Sequence, residues 1–261
     1  MTQLVDVQGE PLAVKIFESV GESKADVLLI HGFTGSKEDF SEVAPLIASS
    51  GFRVLTFDNR GQYESSYTKR SDGYSMASLG RDVVEISQIF GLQKPHLLGH
   101  SFGGLIAQQA VLESPETWST LTLMCSGPGG RSGWLDDPQF RNLNNETKEE
   151  IWTKVLEQDR LGNAKFELWK KRWLASDADS TMIYRDHLLQ QPSLIKVIAK
   201  FGIKSHVIYG ENDDAWPLED QNEMARELQA KLTILPNCGH CPNEDNPSLL
   251  AGELVRFWVN H

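Results

Sequence analysis

At one junction in this chain an apolar run meets a serine flanked by glycines. Pro95-His96-Leu97-Leu98 leads into Gly99-His100-Ser101-Phe102-Gly103, and residues 104–113 continue with a helix-like pattern. A strand that reverses so tightly into a helix needs small residues on both sides of the turn, because a Cβ there would collide with the helix packing back on the strand. The serine hydroxyl is then left projecting from the turn, the geometry of a nucleophile elbow. A serine before a helix is more often an N-cap, so the five residues take their meaning from their surroundings.

Those surroundings alternate between strand and helix patterns. Short β-like runs near Val5, over 13–17 and over 27–30 come first and suggest antiparallel strands entering a sheet. Ser36 with Asp39 three residues on marks a helix start, Gly51 its end, and 53–57 the next strand. Residues 75–90 follow as a helix with Leu79, Val83, Ile86 and Phe90 spaced to face a core, closed by Gly91. After the elbow come strand patterns over 121–125, 205–209 and 231–235, and Asn246-Pro247 opens a last helix carrying Leu250, Leu254 and Phe257. The alternation predicts an α/β fold with a mostly parallel sheet and helices on both faces. With 261 residues, 40% of them apolar, one such core is affordable in a single domain.

The rhythm stops over 127–200, where charged, tryptophan-bearing, helix-prone sequence is too long to be an unstructured loop. We expect a helical lid there, inserted into a core formed by 1–126 and 201–261. Asp136-Asp137-Pro138 and Asn145 read as helix starts. Ile151, Trp152, Val155 and Leu156 form one apolar face, and Phe166, Trp169 and Trp173 another. Trp134 and Trp216 are the aromatics expected nearest a pocket, Trp216 because it lies three residues beyond Asp213.

An activated serine needs a base to take its proton and an acid to orient that base. Both follow in chain order. Asp213 lies in Gly210-Glu211-Asn212-Asp213-Asp214-Ala215-Trp216-Pro217, after the strand pattern 205–209. Asp214 beside it has the same chemistry, but Asp213 closes the turn begun by Gly210. His240 lies in Pro236-Asn237-Cys238-Gly239-His240, just after the last strand pattern. Among the other histidines, His187 and His206 fall in a helix and a strand, and His100 is expected to point away from Ser101. Charge building on a carbonyl oxygen needs preorganised donors; the amide of Phe102 at the helix start and that of Phe33 in His31-Gly32-Phe33-Thr34-Gly35-Ser36 are placed to supply them.

These segments together resemble the α/β-hydrolase family over nearly the whole length. Besides the elbow, the resemblance rests on residues 31–36, on Phe57-Asp58-Asn59-Arg60-Gly61 with Ser65, on residues 210–217, and on Gly239-His240 with Pro242. It implies an eight-stranded, mostly parallel sheet, a triad of Ser101, Asp213 and His240, and an oxyanion hole from the Phe33 and Phe102 amides. Asp58 and Arg60 match a motif that shapes the neighbouring loop and are read as structural.

A serine nucleophile separates this chain from family members that attack with aspartate. The expected activity is hydrolysis of a small, largely apolar carboxylic ester through an acyl-enzyme on Ser101, without cofactor or metal. Carbon-carbon bond hydrolysis of ring-fission diketones, cofactor-free perhydrolysis and a non-catalytic small-ligand receptor are the alternatives. A formal net charge of -11 argues against nucleic acid as a partner. No apolar run is long enough to span a membrane, and the polar, acidic start does not look like a secretory signal. With only three cysteines, Cys125, Cys238 and Cys241, a reducing cytoplasm is expected. Cys238 and Cys241 have C-x-x-C spacing but no second ligand pair to complete a zinc site. The partner expected is a small-molecule substrate; oligomeric state is not encoded in any readable pattern.

Overall fold

The computed structural model describes residues 2–65, 67–131, 133, 140, 146–157 and 161–261. Its strands are β1 (Thr2–Val7), β2 (Glu10–Phe17), β3 (Ala25–Ile30), β4 (Phe52–Phe57), β5 (His96–His100), β6 (Thr120–Met124), β7 (Lys204–Gly210) and β8 (Lys231–Leu235). They form one eight-stranded sheet in the order β1-β2-β4-β3-β5-β6-β7-β8. β1 and β2 make an antiparallel hairpin, and β2 pairs antiparallel with β4. Every other pairing is parallel. The expectation that the run over 27–30 enters antiparallel is therefore corrected: β3 runs parallel to β4 and β5. The helix α1 (Val43–Ser49) carries the chain back between β3 and β4, which sets the two strands in the same direction.

β5 and β6 are buried at every residue, as strands covered on both faces must be. α2 (Met76–Ile89) starts at Ser75, whose side chain accepts from the Ser78 N–H, and buries Leu79, Val83 and Ile86. α3 (Phe102–Glu113) follows the elbow directly and is buried from Phe102 through Val111. The last helix, Pro247–Trp258, is capped by the Asn246 side chain, which accepts from the Leu249 N–H.

Between β6 and β7 the described residues are mainly helical. Thr147 and Glu150 form a reciprocal capping box at the start of Lys148–Ile151, which runs into a single π-helical turn at Trp152–Leu156. Helices Phe166–Ala175 and Ala178–Gln190 follow. The two apolar faces expected here meet in one cluster: Ile151, Trp152, Leu156 and Trp173 pack with Phe166, Trp169 and Phe33. Several polar contacts tie this segment to the core. The Asp177 N–H donates to the Gly61 carbonyl at 2.7 Å, the Tyr184 hydroxyl to the Arg60 carbonyl at 2.6 Å, and Arg172 pairs with Asp39. Trp134, and the helix starts expected at Asp136-Asp137-Pro138 and Asn145, lie outside the described residues.

Because β3, β5, β7 and β8 run the same way, the loops after their carboxyl ends gather at one edge of the sheet. Those loops carry Gly32-Phe33, Ser101, Asp213 and His240.

Candidate active site

Ser101 has φ 53° and ψ -119°, a conformation that costs a non-glycine residue roughly 1–3 kcal/mol. Three hydrogen bonds hold it there. Its N–H donates to the Met124 carbonyl at 2.9 Å, and its own carbonyl accepts from Gly104 N–H and Ser126 Oγ, each at 2.8 Å. The side chain makes no capping hydrogen bond to α3, so the simple N-cap reading fails. The flanking glycines are steric necessities: a Cβ at 99 would overlap the Gly103 carbonyl, and one at 103 the carbonyl of Ile30.

Asp213 is buried, and its carboxylate is saturated with donors. Oδ1 accepts from His240 Nδ1 at 2.9 Å and from the Ala215 N–H at 3.1 Å, and Oδ2 accepts from Gln221 Nε2 at 3.0 Å. Burial pushes its pKa up, but the hydrogen bond and charge of His240, with the Gln221 and Ala215 donors, bring it below the ordinary carboxylate range. Ionised, it can only accept, so the proton lies on His240 Nδ1 and Nε2 is left basic. The His240 side chain is 24% exposed, open enough to meet a substrate. Among the described residues the Ser101 hydroxyl is not hydrogen-bonded to His240; such contacts commonly tighten only when substrate is bound.

Across from the elbow, Gly32 lies so close that a Cβ there would be 3.3 Å from Ser101 Cβ. The Gly32 carbonyl accepts from His31 Nδ1 at 2.8 Å and from the Gly35 N–H at 3.1 Å. Since His31 Nε2 accepts the Asn59 N–H at 3.1 Å, its proton is on Nδ1. Two donors thus fix the plane of the Gly32–Phe33 peptide, and in a trans peptide the Phe33 N–H then points the opposite way. Gln62 Nε2 donates to the Phe33 carbonyl and holds the next peptide. Phe102 is the first residue of α3, and an N–H there has no intrahelical acceptor.

The loop after β4 explains the Asp58 and Arg60 motif. Asp58 accepts from the Lys37 N–H at 2.7 Å and from its ammonium at 2.8 Å, while Arg60 pairs with Asp82 at 2.5 Å and with Glu10. Both are buried supports of the loop that carries Gln62.

The structure corrects one expectation at the site. His100 does not point away: its Nε2 is 2.8 Å from the His240 carbonyl, and the two rings are 5.0 Å apart. Gln221 and Gln62 had no sequence signal, because an amide eight residues beyond Asp213 or inside a turn reads as ordinary surface. Trp216 is 2% exposed and packs over Gly127. The three cysteines are free thiols, and burial raises Cys125 well above its ordinary range and Cys241 to about 12. Among the described residues, His100, Cys125 and His240 bring possible ligand atoms within 4.8 Å of one another, whereas Cys238 and Cys241 belong to no such group. Asp213 already occupies one nitrogen of His240, and the His240 carbonyl one of His100.

Residues 27–247 match the model of the alpha/beta hydrolase fold, and the chain belongs to that family. It is an enzyme of the alpha/beta hydrolase type. The chain is 24% identical to 2-succinyl-6-hydroxy-2,4-cyclohexadiene-1-carboxylate synthase of Enterobacter sp. (strain 638), over 88% of this chain and 90% of that one. It is 26% identical to 2-hydroxy-6-oxononadienedioate/2-hydroxy-6-oxononatrienedioate hydrolase 1 of Pseudomonas putida, over 92% and 90%. A thermophilic esterase from Thermogutta terrifontis shares the fold with a TM-score of 0.80 and 19% identity, over 100% of this chain and 98% of that one.

Proposed function

We propose that this chain is a serine hydrolase that cleaves a small, largely apolar carboxylic ester. The observation that carries the reading is the joint placement of a strained Ser101 and an Asp213-oriented His240 at the same sheet edge. Ser101 Oγ attacks the carbonyl carbon while His240 Nε2 takes its proton. The Phe33 and Phe102 amides receive the oxyanion. His240 then protonates the leaving alcohol, and water activated by the same imidazole releases the acid from Ser101.

The helical segment over 127–200 is the lid of this site. Its aromatic cluster packs on Phe33, so the acyl or alcohol group meets apolar walls, with Trp216 as a further pocket residue. The chain acts in the cytoplasm on a small molecule, without nucleic acid or cofactor.

Carbon-carbon hydrolysis is the second reading, favoured by the Pseudomonas putida relative. The compounds named for both relatives carry carboxylates, which need a cationic partner when desolvated. Of the described cations around the cluster, Arg172 is paired with Asp39, Lys165 with Glu42 and Glu244, and Lys170 with Glu157, whereas Lys148 has the Ser176 carbonyl and the Trp173 ring as partners rather than a carboxylate. Those ion pairs favour a neutral ester. A panel of chromogenic esters graded by acyl length, assayed beside a dienol diketone, separates the two. Ser101→Ala is expected to lower ester turnover by about 10³-fold or more. Near-native hydrolysis by that variant would overturn the assignment, and diketone cleavage without ester cleavage would establish the second reading.

A further inference from the structure

His100 is buried beside the proposed base, yet the proposed chemistry gives it no task. Its Nε2 lies 2.8 Å from the His240 carbonyl oxygen. A carbonyl only accepts, so Nε2 carries the proton and Nδ1 is a bare acceptor. Nδ1 is buried without a hydrogen-bond partner among the described residues, beside Gly32, where a Cβ would approach it to 3.5 Å. An unpaired buried acceptor costs about 1–3 kcal/mol, which an apolar side chain at this position would avoid. The feature that sets histidine apart here is the bond from its other nitrogen.

From this contact we propose that His100 is a positioning residue: its Nε2–H clamps the main chain of His240 and so holds the imidazole of the base in register with Ser101. The proposal rests on the hydrolase reading above. Asp213 restrains the His240 ring at a single point, Nδ1, about which the ring and its loop can still rock. A second anchor on the His240 carbonyl removes that freedom. The anchor belongs to the residue directly before Ser101, so a shift of the elbow carries the base with it. A misplacement of about 1 Å between reacting groups costs on the order of 10²-fold in rate. The clamp keeps one protonation state, because burial and then the charge of His240 push the His100 ring down to about 4, against the weaker opposite pulls of its hydrogen bond to the His240 carbonyl and of Asp39 and Asp213.

Two substitutions separate positioning from packing. H100F keeps a ring of similar size and loses the donor; H100Q loses the ring and keeps an amide N–H that reaches the same place. On a p-nitrophenyl ester, H100F is expected to lose about 10- to 100-fold in kcat with KM within about threefold, and H100Q to recover most of that loss. Full activity in H100F, or equal losses in both variants tracking a fall in Tm, would overturn the clamp. A substrate-free readout keeps this apart from the hydrolase reading, whose own control is Ser101→Ala. The low-field Nδ1 proton of the His240–Asp213 pair, assigned by its absence in D213N, is expected to broaden in H100F and persist in H100Q. Equal sharpness in H100F would refute the clamp whatever the substrate is.

Discussion

At the scale of single residues, the site depends on amides as much as on its charged groups. Gln221 is buried, and its Nε2 completes the donor set of Asp213. A hydrogen bond to a charged acceptor contributes about 1.5–3 kcal/mol. Gln221→Leu removes it, so the Asp213 carboxyl rises from its depressed range. The carboxyl titration of Asp213, followed by carbon NMR, should therefore move to higher pH. An unmoved titration would show that the amide has no part in tuning the acid. The tautomer of His31 has the same character: it is set by one backbone N–H and in turn fixes a peptide plane.

At the scale of elements, the elbow and the segment packed on Phe33 are stabilised differently. The elbow is a matter of close approach, with β5 and α3 so near that residues 99 and 103 have no room for a Cβ. Gly103→Ala is expected to cost about 3 kcal/mol, read as a clear fall in Tm; an unchanged Tm would mean that the strand and helix can part. Helix Phe166–Ala175 adds ion pairs to its apolar packing. The side chains of Arg172 and Asp39 are 11% and 9% exposed, and stranding one buried partner costs about 3 kcal/mol. Lys165, 30% exposed in its pairs with Glu42 and Glu244, should matter by under about 1 kcal/mol. Arg172→Ala should thus speed amide hydrogen exchange in this helix far more than Lys165→Ala does, and equal effects would contradict the ranking. Both helix and elbow were legible as local patterns. The direction of β3 was not, because a strand's partners depend on the crossover that follows it.

For the whole molecule, buried histidines set the pH response. Burial pushes His96 and His100 to about 4 and His206 to about 3, so all three are neutral in the fold near neutral pH. Unfolded, each titrates near 6.5. Well above that value neither state binds a proton and no difference arises. Between about 6.5 and 4 the unfolded chain takes up protons that the fold excludes, so stability falls as pH falls. With about 1.4 kcal/mol per pH unit for each ring, the three together cost on the order of 3 kcal/mol between pH 6 and pH 5. Urea unfolding at the two pH values checks this, and His206→Gln should reduce the difference by about 1 kcal/mol. A midpoint that does not move across the window would refute the neutral assignment.

Local pattern was enough for some of this. Apolar periodicity and the glycines around Ser101 act within a few residues, and the order of serine, acid and histidine is a property of the linear chain, so all three can be read before any folding is known. Which nitrogen of His240 faces Asp213, that His100 grips a carbonyl 140 positions away, and that two apolar faces close into one cluster on Phe33 were decided only by the tertiary structure. Such contacts arise when parallel strands bring distant loops to one edge, and no short stretch of sequence records which loops will meet there.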